Sequence, residues 1–84
     1  MLTIEIKFIA RELATGMQNG TYNVESGATV RELIEVCAKQ NEVAAPLEKA
    51  YKLMHPMFNG KPVLLDSPLT ENGVLHICRI IMGG

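Results

Sequence analysis

The chain has 84 residues, 48% of them hydrophobic and 20% charged, with a net charge of −1. That is one small domain, with apolar residues enough for a core and no room for a second. No basic block stands out, which argues against nucleic acid as the main partner and against electrostatic attachment to a membrane.

Leu2, Ile4, Ile6 and Phe8 alternate with Thr3, Glu5 and Lys7, which predicts a half-buried first strand. A charge by the fifth residue reads as a strand rather than a signal peptide. Ala10 to Gly20 reads as a loop ending in Asn19-Gly20, a pair favoured in tight turns. Thr21 to Glu25 is the return arm of a hairpin, with Tyr22 and Val24 on its inner face. Ser26-Gly27-Ala28 breaks that strand. Thr29-Val30-Arg31-Glu32 then fits a capping box, with Thr29 as N-cap and Glu32 reaching back. Val30, Leu33, Ile34 and Cys37 form the apolar stripe of a helix of about three turns. Glu35 and Lys39 are spaced as an outward ion pair. Asn41 is placed to stop the helix in a left-handed conformation.

Pro46 is expected to open a second, shorter helix running to Met54, with Leu47, Ala50, Tyr51 and Met54 along its stripe. Met57-Phe58 and Val63-Leu64-Leu65 flank Asn59-Gly60-Lys61-Pro62, a hairpin signal in which Pro62 makes its strand short or an edge. Asp66 to Leu69 and Asn72-Gly73 read as turns. Val74 to Ile81 is the last strand, followed by Met82-Gly83-Gly84. The order is β-β-α-(α)-β-β-β. The first and last strands are the most hydrophobic and should lie centrally, under one main helix. This is an α+β roll.

Little in the chain looks catalytic. The carboxylates are scattered, Ser26 and Ser67 sit in turn sequences, and no glycine cluster forms a phosphate loop. Cys37, His55, His76 and Cys78 are the possible metal ligands, but their spacing lacks the pattern of a zinc site, and no metal is expected. Two cysteines without a framework read as free thiols in a reduced, cytoplasmic setting. The strongest feature is Gly83-Gly84 after an apolar strand. Two glycines carry no side chain, so they can thread a narrow channel in extended form and present a carboxylate.

The whole order resembles the ubiquitin-like β-grasp, a mixed sheet of four or five strands on one main helix, here with a short second helix. Several segments narrow the resemblance. Phe8-Ile9-Ala10-Arg11-Glu12-Leu13-Ala14-Thr15-Gly16 is similar to a loop of the molybdopterin synthase small subunit family. Gly27 to Leu33 is similar to that family's helix entry. Asn59-Gly60-Lys61-Pro62-Val63 is similar to its hairpin, and Pro68-Leu69-Thr70-Glu71-Asn72-Gly73 to its following turn. Leu75 to Gly84 also resembles the end of ubiquitin. Residues 1–82 would form the domain, and 83–84 a flexible tail.

This resemblance implies a sulfur carrier, and not an enzyme in its own right. An adenylating enzyme would use ATP to activate the carboxylate of Gly84, and a sulfur donor enzyme would convert it to a thiocarboxylate. Gly83 would give the slender approach, and a synthase catalytic subunit would receive the tail. No cofactor would be bound by the chain itself. The family's proline-rich segment before the glycines is replaced by Arg79-Ile80-Ile81-Met82. The segment Pro46 to Met54 makes the chain longer than the minimal carriers of thiamine biosynthesis. Molybdenum cofactor biosynthesis is the pathway the resemblance favours. A carrier for thiamine or another metabolite, a protein modifier and a non-covalent adaptor are the alternatives.

Strand parity supplies a docking face. Leu75 and Ile77 should face the helix, so His76 and Cys78 face away from it. Phe58 inward puts Met57 outward, and Ile80 and Met82 continue the outer face. Met57, His76, Cys78, Ile80 and Met82 are the expected partner-binding residues. The loop from Ala10 to Gly20 is the element that could cover part of this face instead.

Overall fold

The computed structural model describes residues 1–81. The expected boundary at residue 82 and the tail of Gly83 and Gly84 lie outside them. Five strands form one sheet: β1 (Leu2–Phe8), β2 (Gly20–Val24), β3 (Met54–Phe58), β4 (Lys61–Pro62) and β5 (Gly73–Arg79). Their order is β2-β1-β5-β3-β4. β1 and β5 run parallel, and every other pair is antiparallel. The two most apolar strands are therefore neighbours inside the sheet, as expected from their sequences.

One face of the sheet carries the core. Ile4, Ile6 and Phe8 of β1, Tyr22 and Val24 of β2, Met54 and Phe58 of β3, and Leu75 and Ile77 of β5 are all buried. Helix α1 (Val30–Gln40) covers them with Val30, Leu33, Ile34, Cys37 and Ala38. Its capping box is formed. The Thr29 hydroxyl accepts the Glu32 N–H at 3.1 Å, and the Glu32 carboxylate accepts the Thr29 N–H at 2.9 Å.

Several local expectations are corrected. Asn41 ends α1 with φ of −89°, and Glu42 takes the left-handed position instead. The Asn41 amide is drawn elsewhere: it donates to the Tyr22 hydroxyl at 2.8 Å and to the Cys37 carbonyl at 2.7 Å. Glu35 and Lys39 are both exposed and form no ion pair among the described residues. The second helix, α2, is a single turn, Glu48–Tyr51, with Leu47 as its N-cap. Pro46 precedes the helix, Leu47 is exposed, and Met54 belongs to β3. Only Tyr51 of α2 is buried, so one anchor replaces the expected stripe.

Two of the three Asn-Gly pairs are not turns. Gly20 opens β2, and the Asn19 amide oxygen accepts the Phe8 N–H at 2.8 Å and an Arg11 guanidinium N–H at 3.1 Å. Asn19 thus closes a long connection, which includes a 3-10 turn at Arg11–Leu13. Gly73 opens β5, and a side chain there would collide with the Asn59 amide. Asn59-Gly60 is the real turn, with φ of 50° and 82°, as a two-residue hairpin of this hand requires. The strand after it is a short edge, as Pro62 predicted, but it is Lys61–Pro62 itself, and Val63 to Leu65 expected in that strand lie beyond it.

Two measurements test this frame. Thr29→Ala should cost about 1 kcal/mol in urea unfolding, because it removes the cap of the one long helix. Burial raises the Cys37 thiol above its ordinary 9.0 and the Tyr22 and Tyr51 hydroxyls above 10.0. The folded state holds these protons more tightly than the unfolded state. Their contribution is complete below the unfolded values and is lost as pH rises through 9 and then 10. The urea midpoint should fall progressively above about pH 9, and Cys37→Ala should delay the start of that fall; a midpoint that rises there contradicts the assignment.

Candidate functional site

The site is built on β5, because that strand leads into the glycine pair and is held on both sides. Ile4 to Phe8 pair with Gly73 to Ile77 on one side, and Met54 to Phe58 pair with Leu75 to Arg79 on the other. At the end of β1, the Ile77 carbonyl accepts two N–H groups, from Ile9 at 2.9 Å and Ala10 at 3.0 Å. One step past the strand, the Ile80 N–H donates to the Leu53 carbonyl at 2.8 Å. The chain is thus pinned up to Ile80, and Ile81 is 93% exposed.

The face away from α1 carries the alternate residues. Met57 lies directly opposite His76, and His55 directly opposite Cys78. His76 also has Lys7 of β1 as its partner in register. Met57, His76 and Cys78 are half-buried, and His55 is exposed. Four of the expected residues, Met57, His76, Cys78 and Ile80, are therefore brought to the β3–β5 half of the sheet. Ile80 lies beyond the strand. It is half-buried and lines an edge groove with Tyr51, Lys52, Met54 and His55, so it is not simply the next residue of the outer face. Met82, Gly83 and Gly84 lie outside the described residues. His55 was not expected in this group, although the same parity that turns Met57 outward also turns His55 outward.

The loop after β1 packs into the core rather than over this face. Ala10, Leu13, Ala14 and Met17 are buried, and the Gln18 carbonyl accepts the Tyr22 hydroxyl at 2.7 Å on the helix side. Its Arg-Glu-Leu motif divides three tasks. Arg11 closes the loop by donating to Asn19 and to the Met17 carbonyl at 3.3 Å. Leu13 is buried. Glu12 pairs with Arg79 at the end of β5, at 3.4 Å. Both side chains of that pair are about half exposed, so it adds little to the stability of the fold. No local signal reveals it, because the partners are far apart in sequence.

A groove of about 650 Å³ lies between the β1–β2 loop and residues 43–50. Its lining is mainly apolar, and its ionisable residues are Glu12 and Lys49. Among the described residues no group of three His, Cys, Asp or Glu side chains is placed to hold a metal. No helix is long and apolar enough to cross a membrane.

The two thiols differ in access, since Cys37 is buried and Cys78 is half-buried on the outer sheet face. Cys78 should react with a maleimide in the native state, and Cys37 only after unfolding. Equal native rates for both would contradict the strand parity.

No protein-family model matches the chain, and no curated protein does. Solved structures do. SAMP1 from Haloferax volcanii is 19% identical with a TM-score of 0.69, over 98% of this chain and 99% of that one. A molybdopterin converting factor, subunit 1, from Pyrococcus furiosus is 23% identical with a TM-score of 0.64, over 96% of this chain and 100% of that one. A designed protein based on ubiquitin is 20% identical with a TM-score of 0.61, over 98% of this chain and 92% of that one. With its mixed five-stranded sheet on one main helix, the chain has the ubiquitin-like β-grasp fold.

Proposed function

We propose that this protein is a sulfur carrier that works as a cosubstrate of other enzymes. The observation that carries this reading is the position of Gly83-Gly84 directly after Ile80-Ile81-Met82, a few residues past a strand held on both sides. Support comes from the shared fold of proteins named molybdopterin converting factor subunit 1 and SAMP1, and from the similar loop, helix-entry and hairpin segments.

In this reading the carboxylate of Gly84 attacks the α-phosphate of ATP on an adenylating enzyme. Pyrophosphate leaves and an acyl-adenylate forms. A carboxylate is a poor electrophile, whereas this mixed anhydride is reactive. A persulfide sulfur on a donor enzyme then displaces AMP to give an acyl disulfide; a second thiol cleaves its S–S bond, which leaves a disulfide on the donor and frees the thiocarboxylate that delivers sulfur on a synthase catalytic subunit. Gly83 gives the narrow approach that such an active site needs. The chain itself supplies reach, orientation and a docking face, and no catalytic group. The small subunit of molybdopterin synthase, acting in the cytoplasm, is the specific role proposed.

Met57, His76, Cys78, Ile80 and Met82 are the residues we assign to partner contact. Met57→Glu should weaken binding to the adenylating enzyme by about 1–2 kcal/mol, the scale of a buried apolar contact, with little change in the chain's own stability. Removing Gly83 and Gly84 should abolish the ATP–pyrophosphate exchange that the chain elicits from that enzyme, while docking persists. Exchange that survives the deletion would favour a non-covalent adaptor. Covalent ladders on target proteins would favour a modifier.

A further inference from the structure

The geometry points to α2 and Leu53 as a clasp that decides how far along the chain β5 is held. A helix of four residues has no stability of its own. Two things hold α2: the buried Tyr51 and Arg31 of α1. The Arg31 guanidinium donates to both Glu48 oxygens, at 3.0 and 3.1 Å, and lies over the Tyr51 ring at 4.1 Å. The hold continues beyond α2. The Leu53 N–H donates to the Ala50 carbonyl at 3.0 Å, and the Leu53 carbonyl accepts the Ile80 N–H at 2.8 Å. That last bond lies one step past Met54 and Arg79, the final pair in register between β3 and β5. The grip on Ile80 is therefore relayed from Arg31 through α2 and Leu53.

Two features make this grip releasable. The Arg31–Glu48 pair is at the surface, with side chains 30% and 64% exposed, so water and salt screen it. The Tyr51 hydroxyl is buried without a hydrogen-bond partner among the described residues, a cost that the closed clasp bears and an open one relieves. With the clasp closed, the chain is held through Ile80. With it open, the hold ends at the Arg79 pairing, and the held length shortens by one residue, about 3.3–3.6 Å. The consequence for a reacting tail rests on the carrier reading; the clasp itself does not.

Amide hydrogen exchange tests it on the full chain alone. Arg31→Met keeps the aliphatic stem and removes both contacts to α2. Exchange at the Ile80 amide should then quicken about tenfold, while the Leu33 and Ile9 amides change less than about twofold. Tyr51→Phe removes the unpartnered hydroxyl and should slow exchange at Ile80. Unchanged exchange at Ile80 in Arg31→Met overturns the clasp. So does equal quickening at Leu33 and Ile9, which reports global opening, or faster exchange at Ile80 in Tyr51→Phe. No activating enzyme is involved, so failure of the carrier chemistry leaves this result readable.

Discussion

The double pairing of β5 is the constraint on which the rest depends. Its backbone groups are satisfied by β1 on one side and β3 on the other, so this strand has no free edge along its paired length. That pairing aligns Leu75 and Ile77 under α1 and turns His76 and Cys78 to the opposite face. It also positions Ile80, whose N–H is held by Leu53, and Ile81 after it is exposed. For the carrier role proposed above, a strand paired on both sides supplies a fixed exit.

The loop after β1 and the turn α2 serve the same exit from opposite sides. The β1–β2 loop reaches it through Ile9, Ala10 and the Glu12–Arg79 pair. The α2 segment reaches it through Leu53 and Ile80. The two holds differ in kind. The loop is anchored by buried apolar residues, Leu13, Ala14 and Met17, whose removal from water is worth a few kcal/mol. The α2 segment is anchored by one buried tyrosine and one exposed ion pair. The β1 side is the firm hold, and the β3 side is the one that yields.

Much of this was legible in the sequence, because it rests on local or periodic signals. Alternation marks β1 and places Met57, His76 and Cys78 on one face. Thr29 and Glu32 announce the start of α1, and Asn59-Gly60 with Pro62 announces a hairpin with a short edge. The misreadings share a cause in contacts between distant residues. Asn19 and Asn41 have the composition of a turn and a left-handed stop, but their amides are recruited by Phe8, Arg11 and Tyr22. Gly73 is small because Asn59 lies against it, and not because the chain turns there. Arg31 pairs across to α2 rather than Glu35 pairing along α1. The clasp and the Glu12–Arg79 pair were invisible for the same reason. Gly83 and Gly84 lie outside the described residues, and the carboxylate chemistry read from them is a matter for their reaction.

The most direct observation is the intact mass of the protein after incubation with an adenylating enzyme, ATP and a sulfur donor. The account predicts a species heavier by the difference between sulfur and oxygen, with the added mass confined to the C-terminal peptide. A Gly84 that stays an ordinary carboxylate, while the same enzymes convert a known carrier, would contradict it.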